Sequence, residues 1–246
     1  MKADPAVQRR LLDLAEVDAE LNRVHHRRGT LPELDEITRA ERDHQAKRDA
    51  LVSAQTAQAD LDAEVQRLES EIDQVRTREQ RDRAVLDSGN PGSSKQVDGL
   101  NQELDALARR QGVLEEELLE VMERREAQET DVAHSREQAE TAASALEDAQ
   151  HRRDEELADL DSAEAKRRAE REQLVGELPQ DLTKLYDRVR EQRGAGAGAL
   201  QGNRCGACRI ELDRAALVEV REAAADDVVR CAECGAVLVR TGESAR

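Results

Sequence analysis

The stretch VDGLNQELDALARRQGVLEEELLEV, Val97 to Val121, sets Val97, Leu100, Leu104, Leu107, Leu114, Leu118 and Val121 at alternating steps of three and four, with Gln111 at the one polar step. That stepping lines one narrow face of an α-helix and is the pattern of a coiled coil. The same register continues, with polar interruptions, through Val132, Ala139, Ala142, Leu146, Ala149, Leu160, Ala163 and Leu174. An earlier stretch repeats it in Leu51, Ala54, Gln58, Leu61, Val65, Leu68, Ile72 and Val75. Between the two lies the densest turn signal of the first 175 residues, Asp87-Ser-Gly-Asn-Pro-Gly-Ser-Ser94, and Ser93 with Gln96 reads as a capping box opening the second helix. A short break between long helices predicts an antiparallel hairpin in which residue i faces roughly residue 182 − i. A helix unbroken from 97 to 174 would run about 117 Å, a rod.

Outside this stretch the N-terminus carries its own stripe, Val7, Leu11, Leu14, Leu21 and Val24, which breaks at Gly29-Thr-Leu-Pro-Glu33. Thr30 and Glu33 are placed to cap the helix that follows. Arg125, Gln128, Ser135, Arg153, Glu156, Arg167 and Glu170 fall on seam positions, where a long coiled coil tolerates polar layers at some cost in stability. The heptad stops at Gly176. Pro179 then opens a short helix with Leu182, Leu185, Tyr186 and Val189 on one face and Gly194 just past its end. Tyr186 is expected in a core rather than stacked on a base.

Composition agrees with long exposed helices rather than one large core. The chain has 246 residues, a formal charge of −17, one tyrosine, and neither phenylalanine nor tryptophan, with a mean hydropathy of −0.81. A compact domain of that length would ordinarily use aromatic rings to fill its interior. No stretch is apolar for long enough to cross a membrane. Four cysteines without a secretory segment point to a reducing, cytoplasmic setting.

All four cysteines lie near the C-terminus, as Cys205-Gly-Ala-Cys208 and Cys231-Ala-Glu-Cys234-Gly235. Two CxxC turns can set four thiolates at the corners of one tetrahedron, the arrangement of a closed structural Zn²⁺ site. Gly206 and Gly235 are expected to provide positive φ where the backbone wraps around the metal. Two disulfides or a redox CxxC are the competing readings, but a redox motif would explain only one of the two pairs. Ile210 and Leu212 flank the first pair, and Val228, Val229, Val237, Leu238 and Val239 the second, as short strand-like runs. So small a module needs a staple, and zinc supplies one. The predicted fold is mainly α: residues 1–177 form the coiled-coil hairpin, with its turn near 87–94 and a break near 29–33. Residues 178–200 form a connecting helix and glycine-rich linker, and 201–246 a small β zinc ribbon.

The hairpin turn followed by Ser94-Lys95-Gln96, the stretch from Leu178 to Tyr186, and the four cysteines with Gly235 together resemble bacterial C4-type zinc-ribbon proteins with an N-terminal coiled-coil hairpin. The resemblance spans nearly the whole chain. It implies Cys205, Cys208, Cys231 and Cys234 as ligands of one structural zinc ion and nucleic acid as the ribbon's target, and some relatives are tied to flagellar or secretion machinery.

The residues themselves are less decisive about a partner. Residues 1–182 carry 27 basic and 45 acidic side chains, and residues 183–246 carry 11 and 10. A surface that tracks phosphate normally shows a clear basic excess. Arg193, Arg204, Arg209, Arg214, Arg230 and Arg240 are the candidates to gather on one ribbon face. The expected function is a non-enzymatic interaction protein that binds RNA or DNA through the ribbon, with a protein partner on the coiled-coil arm. The alternative is a protein adaptor or chaperone-like regulator without nucleic acid. No small-molecule substrate and no catalytic residue are expected, since His25, His26, His44, His134 and His151 are scattered along the helices.

Overall fold

The computed structural model describes residues 1–88 and 93–241. Four helices come first: α1 (Pro5–Gly29), α2 (Pro32–Asp87), α3 (Ser94–Glu177) and α4 (Gln180–Arg193). They are followed by β1 (Ala197–Gln201), β2 (Arg204–Cys205), α5 (Arg214–Glu222), β3 (Val229–Arg230) and β4 (Val237–Val239). The middle of the expected hairpin turn, residues 89–92, lies outside the described residues. The chain divides into two compact units, Asp35–Gln150 and Met1–Leu34 with His151–Arg246.

In the unit Asp35–Gln150, α2 and α3 pair antiparallel in the expected register. Val65, Leu68 and Ile72 of α2 are buried with Leu114 and Val121 of α3, and Leu61, Val75 and Leu118 pack beside them. Gln128 donates to the Ala54 carbonyl at 3.0 Å, and Arg110 meets Glu71 at 3.1 Å. The polar seam positions Gln128 and Arg125 thus find partners across the helix pair, Arg125 meeting Asp62 at 2.9 Å. At the start of α3 the Gln96 side chain accepts from the Ser93 amide at 2.7 Å, the backward half of a capping box.

In the other unit α1 runs antiparallel to the last part of α3. Arg27 meets Glu156 at 2.8 Å, and Arg167 pairs with both Glu20 and Glu170. Asp4 caps α1 by accepting from the Ala6 amide, and Pro5 occupies the first turn, where its missing N–H costs nothing. Thr30 works differently from expectation. Its hydroxyl donates back to the His26 carbonyl at 2.9 Å, so it closes α1 instead of opening α2.

The four strands form one sheet in the order β2-β1-β4-β3. β1 is antiparallel to β2 and parallel to β4, with Ala197, Gly198 and Ala199 opposite Val237, Leu238 and Val239. One expectation is corrected here. Glycine content marks Gly194–Ala199 as linker, yet Ala197 onward is the strand at the centre of the sheet. The ribbon also packs on the helices. Ala197, Val237 and Val239 share a core with Leu11, Leu14, Val17 and Leu21 of α1, Leu174 of α3, Leu178, and Leu182 and Tyr186 of α4.

The glycines explain this correction, because a flexible run and a closely packed run have the same composition. A Cβ at Gly196 would lie 2.5 Å from a Tyr186 ring carbon and 2.6 Å from the Tyr186 carbonyl oxygen. At Gly198 it would lie 2.3 Å from the Ala207 amide nitrogen. Gly198→Ala must push backbone against backbone, so it is expected to destabilise the ribbon by about 3 kcal/mol. The check is thermal unfolding of the full chain followed by near-ultraviolet circular dichroism.

The N-terminus adds a further tie. Lys2 bridges Asp227 as an antiparallel pair, the Ala3 amide donates to the Asp226 carbonyl at 2.8 Å, and the Val228 amide to Met1 at 3.0 Å. Buried Gln8 reaches the Ala3 and Ala225 carbonyls.

Candidate metal centre

Each cysteine pair sits on a turn of the same construction. In the first, the Cys205 amide donates to the Ile210 carbonyl at 3.0 Å and the Arg209 amide to the Cys205 carbonyl at 2.7 Å. In the second, Cys231 donates to Ala236 at 2.8 Å and Gly235 to Cys231 at 2.9 Å. The residue after the second cysteine is left-handed both times, with φ of 62° at Arg209 and 76° at Gly235. Gly235 thus has the expected role, and Gly206 does not. Gly206 is needed because a Cβ there would meet the Ala199 carbonyl oxygen at 2.7 Å, the oxygen that accepts from the Gly206 amide.

The turns bring the four sulfurs together. All four Sγ atoms lie within 4.8 Å of one another, with Cys205 to Cys234 at 3.9 Å and Cys208 to Cys231 at 4.0 Å. These cysteines are free, with no disulfide between them. A tetrahedron with Zn–S bonds of about 2.3 Å has edges of about 3.8 Å. The donor set therefore fits one structural zinc ion, and four thiolates fill its coordination shell.

Around the sulfurs Leu200, Leu212, Val220 and Leu238 form an apolar shell. Burial pushes the Cys234 thiol up to about 12 and also raises Cys205. At Cys208 burial acts upward too, but the Ile210 amide and the neighbouring sulfurs turn the net shift downward. A dication must accordingly displace protons to enter, so zinc affinity falls as pH falls.

The six candidate arginines differ in their partners. Arg240 is drawn into the fold: its guanidinium donates to the carbonyls of Val220, Ala223, Ala224, Ala225 and Asp227 at 2.6–3.3 Å. Those carbonyls close α5 and the loop after it, and a cation at a helix C-terminus also suits its dipole. Arg204 pairs with Glu211 at 2.9 Å, and the Arg230 Nε donates to the Gly235 carbonyl at 2.9 Å. Arg193, Arg209 and Arg214 are exposed, and among the described residues none has a carboxylate partner. Residues 214–222 are the helix α5, capped by Asp213.

Sequence reasoning missed a second buried polar centre. Asp18, 3% exposed, accepts from the Tyr186 hydroxyl at 2.8 Å and from Arg171 Nε at 2.8 Å. Arg190 Nε lies 3.1 Å from the same carboxylate without hydrogen-bond alignment, and Arg171 also reaches Asp187 at 2.6 Å. The available signal was Asp18 interrupting the apolar face of α1 between Leu14 and Leu21.

Comparison with known proteins agrees with this architecture from end to end. The CT398-like coiled coil hairpin domain matches residues 14–194, which is most of the chain. The chain belongs to the CT398-like coiled-coil hairpin family. A C4-type zinc ribbon domain matches residues 204–238 and spans all four cysteines. An uncharacterized protein of Mycobacterium tuberculosis is 45% identical over 240 residues, covering 98% of each chain. One of Mycobacterium leprae is 35% identical over 224 residues, covering 91% of this chain and 96% of its own. Among solved structures, a Mycobacterium smegmatis protein is 45% identical with a TM-score of 0.89, covering 98% of this chain and 100% of its own. CT398 of Chlamydia trachomatis, 16% identical over 96% of this chain and 98% of its own, has a TM-score of 0.67 and shares the fold. Within this CT398-like chain no described helix is long and apolar enough to cross a membrane.

Proposed function

We propose that this protein is a non-enzymatic, zinc-dependent adaptor, whose helical hairpin and ribbon present surfaces to protein partners in the cytoplasm. One observation carries the choice of protein over nucleic acid. The arginine with the largest number of bonds in the ribbon, Arg240, is committed to five backbone carbonyls, and Arg204 and Arg230 have internal partners. What remains for phosphate is a thin scatter on a chain of net charge −17. A zinc ion with four thiolate ligands holds no position for substrate, which supports the non-enzymatic reading.

Nucleic-acid binding through the ribbon is the second reading, favoured by the exposed Arg193, Arg209 and Arg214. The two separate in one experiment on the zinc-loaded full chain, because a ribbon cut away would lose the core it shares with α1 and α4. Binding of labelled RNA and DNA is measured across a salt series, beside crosslinking and identification of captured proteins. The adaptor reading expects dissociation constants no tighter than about 10⁻⁵ M for nucleic acid at physiological salt, and a reproducible protein partner. Much tighter binding that weakens steeply with salt, and is lost in an Arg209→Ala/Arg214→Ala variant, overturns it.

A further inference from the structure

The α3 face around Leu119 and Met122, within the unit Asp35–Gln150, pays no part in the seam. Leu119 is 61% exposed and Met122 45% exposed, and a spacing of three places them side by side on the helix surface. The buried seam residues Leu114 and Val121 point elsewhere around the same helix. From residue 115 to 131 the chain carries eight acidic and two basic side chains. Both basic ones, Arg124 and Arg125, turn toward α2 and meet Glu64 and Asp62. Among the described residues, Glu116, Glu120, Glu123, Glu126 and Glu129 are exposed and meet no basic side chain. Successive members of that series stand three or four residues apart, so each repels the next.

Two unfavourable features thus coincide on one patch: solvated apolar side chains, and like charges held one helical turn apart. A single kind of occupant relieves both. An apolar ridge would cover Leu119 and Met122, and flanking cations would neutralise the glutamates. A nucleic acid or an anionic membrane would add negative charge to negative charge, and a second copy of the same patch would do likewise. We propose that this face of α3 docks a cationic amphipathic helix of a partner protein. The proposal rests on the adaptor reading and gives it a surface and a partner chemistry.

The test uses the full chain and a synthetic amphipathic helix of leucine and lysine with leucines at i, i+3, i+4 and i+7. A control peptide has the same composition in scrambled order. The patterned peptide is expected to bind at least roughly tenfold tighter than the scrambled one. Leu119→Ser with Met122→Ser should abolish that preference, and Glu116→Gln with Glu123→Gln and Glu126→Gln should weaken binding and flatten its salt dependence. All these positions are exposed, so helix content should stay unchanged and loss of binding is not loss of fold. Equal binding of both peptides, no effect of either variant set, or a dimer that Leu119→Ser dissociates would each overturn the proposal. If the Leu119→Ser/Met122→Ser chain captures the same crosslinked proteins as the native chain, this surface is wrong while the adaptor reading stands. If the native chain captures none, the adaptor reading itself has failed.

Discussion

Cys205→Ser in the full chain is expected to abolish the ribbon while leaving most of the helix intact. A structural zinc site contributes on the order of 10–16 kcal/mol of apparent binding energy, much of it available to fold the module. Losing one thiolate removes a large part of that, and no disulfide links the two cysteine turns in its place. Its strands cannot dissolve unnoticed, because Ala197, Val237 and Val239 line the same core as Tyr186. Tyr186 is the chain's only tyrosine, and there is no tryptophan or phenylalanine. Near-ultraviolet circular dichroism and tyrosine fluorescence therefore report on that core alone, whereas far-ultraviolet dichroism reports the helices. The expected outcome is a lost or altered tyrosine signal with helical dichroism largely kept, since the cluster of Val65, Leu68, Ile72, Leu114 and Val121 contains no ribbon residue. An unchanged tyrosine signal would mean that the ribbon stands without its metal.

The second large effect is expected at Asp18. Asp18→Ala would leave the buried Tyr186 hydroxyl without its acceptor and would take a counter-charge from Arg171 and Arg190. Removing one partner of a buried ion pair typically costs 3–5 kcal/mol. The guanidiniums here keep some solvent, and Arg171 keeps Asp187, so about 3 kcal/mol is expected. Tyr186→Phe should cost less, about 1 kcal/mol, because the carboxylate retains its arginines. Thermal midpoints of the two variants and of the double variant measure the coupling between the pair.

The same contact has a pH signature. Burial first, then the hydrogen bond to Asp18 and its negative charge, raise the Tyr186 phenol above the ordinary tyrosine value. A raised acid is stabilising while neutral, so its contribution is complete below the unfolded value of about 10 and is lost as pH rises beyond it. Phenolate absorbance is thus expected to appear only together with alkaline unfolding of this core. Titration near pH 10 in the folded chain would contradict the burial of Tyr186.

Much of this was legible in the residues because the signals are local and periodic. Steps of three and four set the helix faces, and the position of the turn set the pairing of Ala54 with Gln128. The ligand set was legible because cysteines occur nowhere else. Gly194 closes α4 with φ of 86°, as a residue just past a helix end can. What stayed hidden depends on approach between distant segments. Nothing local distinguishes Gly198, which faces the Ala207 amide, from a linker glycine. Nothing in an arginine's neighbours says that Arg240 will gather five carbonyls, or that residues 1–3 will pair with 226–228. The same holds for Arg209, a left-handed residue in the place where Gly235 stands in the other turn.

Metal analysis of the full chain, purified without added zinc or chelator, bears most directly on the central claim that four thiolates and one cation hold the ribbon against the helical core. One zinc per chain is expected, with four sulfur neighbours at about 2.3 Å by X-ray absorption and loss of the Tyr186 signal on stripping the ion. A chain without stoichiometric zinc, or one whose Tyr186 environment survives complete removal of metal, would contradict it.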